Sequence, residues 1–119
     1  MAYLKKIDSF FDSRGALAVI EDFHIFPIKR VYFIYSVPDV ERGGHKHIKT
    51  KQACVCVNGS CVIDVHNNSI IESFKLDSPT KCLILNPEDW HKMNNFSDDC
   101  ILLVLASENY DVTDYIDQN

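Results

Sequence analysis

No apolar run in this chain of 119 residues reaches the roughly 18 residues that a membrane-spanning helix requires. The first eight residues also lack the apolar h-region of a secretory signal peptide. We therefore expect a cytoplasmic protein without a membrane partner. The chain shows no internal repeat, linker or low-complexity tract, so residues 1–119 are predicted to form a single domain.

An excess of positive charge is also missing, because the formal net charge is −5 at pH 7. A nucleic-acid-binding domain would be basic overall, so we expect no nucleic-acid partner. Residues 29–51 are the exception, with six basic residues against two acidic ones. Such a basic segment suits a small anionic ligand such as a phosphate ester. The alternative is that its lysines, Lys46, Lys49 and Lys51, are simply solvated on a turn.

The five cysteines are an odd number and are not accompanied by a secretion signal. Free thiols in a reducing compartment are therefore expected in place of disulfides. The pair Cys54-x-Cys56 offers residue types that bind zinc. Each cysteine, however, lies among Val, Ile and Leu in a strand-like run, which favours packing in the core.

Long amphipathic helical periods are absent, and at most one turn of helix is expected, within residues 107–116. The apolar runs are short, and turn residues separate them about every eight to twelve positions, which is typical of a β-sandwich or barrel. Asn58-Gly59 is the strongest hairpin signal, and Asn67-Asn68 is a weaker one. We predict an all-β, jelly-roll-like double sheet. The expected strands are Leu17–Ile20, Val31–Ser36, His45–His47, Ala53–Val57, Cys61–Val65, Ile70–Leu76, Cys82–Leu85 and Ile101–Ala106.

Two histidines, His45 and His47, stand two residues apart in the segment Arg42–His47, which is expected to be extended. Side chains alternate across a strand, so both histidines point to the same face. A third, His91, comes from the distant segment Pro87–His91, which is also expected to be extended. Imidazoles that converge inside an all-β domain form either a metal site or an acid/base site.

The spacing of these residues resembles the two motifs of the cupin family, which implies a double-stranded β-helix fold. In the first motif an acid and then a glycine follow His-x-His, where this chain has Gln52 and Gly59. In the second, a proline, a histidine and an asparagine correspond to Pro87, His91 and Asn95. Gln52 is the departure, because metal-binding cupins usually have Glu there and an amide oxygen is a weaker ligand than a carboxylate. Three histidines can still hold zinc with water in the fourth position.

A narrower resemblance is carried, in order, by eight segments: Asp12–Gly15, Lys29–Tyr32, Arg42–His47, Gln52–Ser60, Leu76–Pro79, Trp90–Met93, Leu103–Ser107 and Tyr110–Ile116. They are similar to the sugar 3,4-ketoisomerases, cupins that use neither metal nor another cofactor and act on dTDP-4-keto-6-deoxyglucose. The resemblance implies a homodimer that moves a proton from C3 to C4 through an enediol. The 3-keto-6-deoxy product can then become an amino sugar of surface polysaccharides, through a PLP-dependent aminotransferase.

For catalysis the resemblance implies His45 and His47, which would divide proton removal and return; which of them is the base stays open. Histidine suits this work because its ordinary pKa is near neutral. The enediolate needs a hydrogen-bond donor at its oxygen. Tyr32 and Tyr35 are three residues apart and face opposite sides of a strand, and Tyr32 shares the side of Arg30. We therefore predict Tyr32 as the donor.

Guanidinium groups match the oxygens of a diphosphate, so Arg14 and Arg30 are candidates for binding it, and Arg42 is a third. Arg14 lies in a turn at which members of the resembling family reach toward the site of a dimer partner. The alternative for each is an exposed arginine on a turn. Further substrate contacts are predicted for Tyr35, Gln52, Trp90 and His91.

Three other functions stay open. A metal-dependent cupin, such as a dioxygenase, would use His45, His47 and His91 as ligands. A dTDP-sugar 3,5-epimerase has a double-sheet fold and a histidine base, but is typically longer and carries its base and acid in other motifs. A non-catalytic sugar-binding cupin would bind the same ligand without turnover. The configuration of the product at C4, gluco or galacto, does not follow from the sequence.

Overall fold

The computed structural model describes residues 1–117, and over this range the fold is all-β. The strands are β1 (Tyr3–Lys6), β2 (Asp8–Asp12), β3 (Gly15–Val19), β4 (Arg30–Tyr35), β5 (Arg42–His47), β6 (Gln52–Asn58), β7 (Cys61–Asn67), β8 (Ile70–Leu76), β9 (Lys81–Leu85), β10 (Trp90–Asn94), β11 (Ile101–Ala106) and β12 (Tyr115–Ile116). Two single turns of 3-10 helix, Asp22–His24 and Val112–Asp114, interrupt them. None of the helical turns in the described range is long and apolar enough to cross a membrane.

Two five-stranded sheets face each other, with strand orders β1-β9-β6-β11-β4 and β12-β5-β10-β7-β8. This is the predicted cupin-like double sheet. Strand alternation builds the core between the sheets, as Cys61, Ile63 and Val65 on β7 show by their burial. The middle strand β6 is buried on both faces, because Ile7 and Phe26 pack against its outer side. All five cysteines are buried and free, as predicted.

Each of the eight predicted strands is present, with bounds that differ by one to three residues at most ends. The segment carrying His91 is extended as expected and forms β10. Strands β1, β2 and β12 were not predicted. They are short or polar, and their pairing partners are decided by tertiary contacts.

The Asn58-Gly59 hairpin prediction is wrong. A tight turn is present and Gly59 has a positive φ of 69°, but β6 and β7 belong to different sheets. The turn therefore crosses from one sheet to the other. The weaker signal at Asn67-Asn68 marks the true hairpin, because β7 and β8 pair antiparallel. Cys61 stands opposite Leu76 at one end of the pair and Asn67 opposite Ile70 at the other.

A two-stranded hairpin of β2 and β3 projects outside both sheets. Its apolar side chains Phe10, Phe11 and Leu17 are 61%, 79% and 59% exposed. The edge strand β4 also presents Phe33 and Tyr35 to the outside, where their rings lie 6.0 Å apart. An isolated two-stranded hairpin is only marginally stable in water. Exposed apolar patches such as these are typical of surfaces that contact another protein.

Candidate active site

A cavity of about 390 Å³ opens between β4, β5 and β10. The alternation of β4 directs Arg30, Tyr32 and Ile34 into it, while β10 contributes His91 and Met93. The remaining lining residues are Arg42, Gly43, His45, Tyr110 and Tyr115. The cavity combines imidazole, phenol and guanidinium groups with apolar walls, which is typical of a site for a small polar ligand.

Three histidines meet at the inner end of this cavity. The ring of His45 lies 5.2 Å from that of His47 and 5.1 Å from that of His91, centroid to centroid. His45 is half-buried and lines the cavity. His91 also lines it although it is buried, whereas His47 is buried and does not line it. His45 is therefore the histidine of the His-x-His pair that a ligand in the cavity can reach.

Gly43 lets β5 and β10 approach closely enough to assemble the cluster. His45 stands opposite His91 in the strand register, and Gly43 stands opposite Lys92. A Cβ on Gly43 would lie 3.1 Å from the His91 carbonyl oxygen, and the residue has a φ of +83°. Both the close contact and the left-handed backbone require glycine at this position.

Asp114 holds His47 from behind, with Oδ2 3.0 Å from the His47 Nδ1. The same carboxylate accepts hydrogen bonds from the backbone amides of Ile48 and Lys49 and from the Thr50 hydroxyl. Burial by itself would raise the pKa of Asp114, but these hydrogen bonds outweigh it and hold the pKa below its usual range. Asp114 is therefore a charged acceptor that fixes the His47 ring and leaves its Nε2 as the basic nitrogen.

All three histidines have pKa values below the ordinary range. Burial is the largest cause in each case, and the neighbouring His47 adds to the lowering at His45. His91, which directs Nδ1 to the Asp89 carbonyl oxygen at 3.0 Å, has its pKa lowered to about 4. At neutral pH the cluster is therefore uncharged, and its members can accept protons.

Tyr32 is oriented by Gln52. The Gln52 amide donates from Nε2 to the Tyr32 phenol oxygen at 2.8 Å, which leaves the phenol free to donate its own proton elsewhere. Burial raises the pKa of Tyr32 far above its ordinary value, so the phenol is neutral at any physiological pH. The guanidinium of Arg30 stacks between the rings of Tyr32 and Tyr110, at 5.2 Å and 5.6 Å from their centroids.

Several predicted site residues line the cavity: His45, Tyr32, Arg30, Arg42 and His91. Gln52 is buried and contacts Tyr32, so it lies behind the residues that line the cavity. Residues Tyr110, Asp114 and Tyr115 were not predicted as site residues. Their only sequence signal was their membership of the segment Tyr110–Ile116, one of the eight that carry the family resemblance.

Three predicted substrate contacts do not line the cavity of their own chain. Tyr35 points to the outer face of β4, because it has the opposite parity to Tyr32. Trp90 has the opposite parity to His91; its indole packs on His66 and donates to the Asp117 carbonyl oxygen. Arg14, 87% exposed at its side chain, pairs with Asp12 at the tip of the β2–β3 hairpin. Its position requires a second chain if it is to meet a ligand.

Gln52 holds the position at which metal-binding cupins usually have a glutamate ligand, and its neutral amide is a weaker ligand than a carboxylate. Within residues 1–117, the group of three ligand atoms that lie within 4.8 Å of one another is formed by Cys56, Cys61 and Cys100 and includes no histidine. His47 and His91 direct Nδ1 to Asp114 and to the Asp89 carbonyl, and their Nε2 atoms are buried without a hydrogen-bond partner in residues 1–117. The Gln52 amide donates from Nε2 to Tyr32, and its Oε1, the atom that would be a ligand, is buried without a hydrogen-bond partner in residues 1–117. The donor atoms at this place are all neutral, so they would hold a divalent cation less tightly than a set with a carboxylate.

Residues 2–119 match the family model described as FdtA: WxcM-like, C-terminal. The chain is 48% identical over 110 residues to the TDP-4-oxo-6-deoxy-alpha-D-glucose-3,4-oxoisomerase of Aneurinibacillus thermoaerophilus, an alignment that covers 90% of this chain and 79% of that protein. Both comparisons concern nearly the full length of the chain.

Solved structures of sugar 3,4-ketoisomerases are also similar to this chain. The fold is similar to that of QdtA, a sugar 3,4-ketoisomerase from Thermoanaerobacterium thermosaccharolyticum in complex with TDP, with a TM-score of 0.95 and 41% identity over 98% of this chain and 88% of that one. A variant of QdtA in complex with TDP-4-keto-6-deoxyglucose matches with a TM-score of 0.94 and 40% identity over 98% and 87%.

Proposed function

Because this chain belongs to the sugar 3,4-ketoisomerase family and is an isomerase, we propose that its cavity converts TDP-4-keto-6-deoxyglucose to the 3-keto-6-deoxy sugar. The observation that carries the proposal is that His45 and Tyr32 line one cavity together with Arg30 and Arg42. A neutral base, a neutral proton donor and cations for a diphosphate are the groups that this reaction needs.

The first step is removal of the C3 proton, which the carbonyl at C4 makes acidic. His45 is the base because it is the imidazole of the His-x-His pair that lines the cavity, and it is uncharged at neutral pH. Negative charge develops on the C4 oxygen, where the Tyr32 phenol donates a hydrogen bond and then its proton. The protonated His45, whose proton exchanges with solvent, then delivers a proton to C4, while the C3 hydroxyl gives its proton to the Tyr32 phenolate. Both residues return to their starting states, and the carbonyl is left at C3.

His47 and Asp114 support the base from behind. The His47 ring lies edge-on to that of His45, at an interplanar angle of 88°. Its own orientation is held by the Asp114 carboxylate. We assign His47 to positioning His45 and to passing protons to and from it, because His47 does not line the cavity.

Arg30 and Arg42 bind the diphosphate in this proposal. Arg30 is held in place by stacking on Tyr32 and Tyr110, so little side-chain entropy is lost when it binds an anion. The 3-keto product is a substrate for transamination, which would place the enzyme before an aminotransferase in deoxyamino-sugar synthesis for surface polysaccharides.

Proton exchange tests the proposal directly. Metal-stripped protein is incubated with TDP-4-keto-6-deoxyglucose in D₂O and followed by NMR. We expect deuterium at C4 of a 3-keto sugar, and the coupling of the C4 position reports its configuration. Exchange that appears only after zinc or iron is added would replace the proposal by a metal-dependent one. No exchange in either condition would favour a binding protein.

We also propose a homodimer in which the β2–β3 hairpin covers apolar surface of the partner. The support is the exposed apolar side of that hairpin and the position of Arg14 outside its own cavity. Light scattering should give the mass of two chains, and Arg14→Ala should raise the KM while the mass stays dimeric. A fully active monomer would contradict the proposal.

A further inference from the structure

Three thiols that the isomerase reaction does not use meet in the core. The Cys56 Sγ lies 3.3 Å from the Cys61 Sγ and 3.6 Å from the Cys100 Sγ, and all three sulfurs are within 4.8 Å of one another. Cys56 is near the end of β6, Cys61 begins β7 and Cys100 precedes β11. Cys56 is four residues from Gln52 along β6, which places it roughly 13 Å from that residue.

We propose that Cys56, Cys61 and Cys100 form a binding site for a soft univalent cation, Cu(I). Thiolate ligands select soft cations, Cu(I) among them. The group has three sulfur ligands, and the side chains packed around it, such as Ile63 and Leu102, are apolar. Zinc in a structural site prefers four ligands, whereas Cu(I) is satisfied by three sulfurs. The number of ligands therefore favours Cu(I) over zinc.

Binding must displace protons from the thiols. A hydrogen bond with Cys61 and burial raise the pKa of Cys56 far above its ordinary value, and burial raises the pKa of Cys100 to about 12. Without a cation Cys56 and Cys100 are therefore neutral thiols that pack like small apolar side chains. Because a coordinated thiol loses its proton, the affinity for Cu(I) should rise with pH.

Two turns, at residues 58–60 and 97–99, cover the three thiols and are hydrogen-bonded to each other. The Ser60 amide donates to the Ser97 hydroxyl, and the Asn58 side-chain amide donates to the Asp99 carbonyl oxygen, both at 2.9 Å. Gly59 fits between them, since a Cβ there would lie 2.9 Å from the Cys100 Cα. The exposed Asp98 and Asp99 give this cover a negative charge that attracts cations. Cu(I) must enter when the two turns separate, so uptake should be slow.

The test is an anaerobic competition for Cu(I) between the full-length protein and a chromophoric Cu(I) chelator. We expect one bound Cu(I) per chain, an affinity that rises with pH, and three sulfur neighbours of copper in X-ray absorption. Cys56→Ala, Cys61→Ala and Cys100→Ala should each abolish binding of that equivalent. Zinc added to the same protein should bind far more weakly.

Cys54→Ala and Cys82→Ala are the matched controls, because both thiols are buried and neither belongs to the group. They should bind Cu(I) as the unchanged protein does. Circular dichroism identifies any variant that fails to fold, and Cys61→Ser, with a weaker oxygen ligand of similar size, then replaces it. The proposal is wrong if the unchanged protein leaves all Cu(I) with the chelator, or if the control variants lose it equally.

Discussion

The Asp114 carboxylate lies 3.0 Å from the Nδ1 of His47, across 67 residues of sequence, and both side chains are buried. This pair joins the second histidine of the His-x-His motif to the last turn before β12. Asp114 also accepts from two backbone amides and a hydroxyl. A buried carboxylate with this many donors is ionised, and it can therefore fix the orientation of an imidazole.

Replacing that carboxylate should slow the reaction without unfolding the protein. In Asp114→Asn the pKa of His47 falls further, because the carboxylate no longer favours the imidazolium, and the ring loses its fixed orientation. We expect kcat to fall by roughly 10- to 100-fold, as for other residues that orient a functional histidine, with a smaller change in KM. The pH profile of kcat should shift as well, which a purely structural role would not produce. Asp111→Asn, at the residue that caps the same 3-10 turn, is the control and should keep full activity.

Substitution of either histidine of the motif should slow turnover, whereas substitution of a surface histidine should not. His45→Asn removes the base that lines the cavity, and loss of a general base costs roughly 10²- to 10⁴-fold. His47→Asn should also remove most turnover, with both variants folded and dimeric. His24→Asn, an exposed histidine in the first 3-10 turn, should have no effect. Nearly unchanged deuterium exchange in both motif variants would refute the acid/base assignment.

Gln52 should control the direction in which Tyr32 donates. In Gln52→Glu a carboxylate replaces the amide donor and accepts the Tyr32 O–H, so the phenol proton is drawn away from the substrate. Turnover should fall roughly 10²- to 10³-fold, the typical loss for one donor to an oxyanion. The double variant with Tyr32→Phe should be no slower than Tyr32→Phe by itself, because both changes remove the same hydrogen bond.

Tyr35→Phe is the matched control for Tyr32→Phe, since Tyr35 lies on the same strand and points outward. It should retain normal turnover. Equal losses in the two tyrosine variants would show that the phenol of Tyr32 acts through packing and does not donate to the substrate.

Stability should fall in mild acid because of His91. The unfolded chain binds a proton near the ordinary pKa of 6.5, whereas burial lowers the pKa in the folded state to about 4. Between these values the unfolded state holds more protons, so the free energy of unfolding decreases as the pH falls from about 6.5 to about 4. The full effect is on the order of 3 kcal/mol.

Urea unfolding at several pH values measures this slope. His91→Gln should flatten it, even if that variant is less stable at neutral pH. An unchanged slope in His91→Gln would assign the acid sensitivity to other groups.

Both turn signals in the sequence located a turn, but the stronger one predicted the wrong strand pairing. Asn58-Gly59 has the residues of a hairpin, yet β6 and β7 lie in opposite sheets. Asn67-Asn68 has a weaker signal and joins two paired strands. A turn sequence sets the local backbone, whereas the burial of both flanking strands decides whether the chain stays in one sheet or crosses to the other.

The candidate site was also predicted in part. Strand parity placed His45 and His47 on one face and Tyr32 with Arg30, and the structure agrees. The same rule places Trp90 and His91 on opposite faces of β10, so the two side chains cannot both point into the cavity. Asp114 escaped prediction because an isolated aspartate in an acidic C-terminal stretch gives no sign of burial.

The sequence by itself determined the β architecture, the buried thiols and the family, because these depend on local periodicity, composition and ordered motifs. The tertiary structure decided which histidine of the His-x-His pair lines the cavity and which carboxylate holds the other histidine of that pair. It also decided that three cysteines from separate elements meet. Each of these depends on contacts between residues distant in sequence, whose proximity is set by how two sheets pack together, and no local pattern encodes that distance.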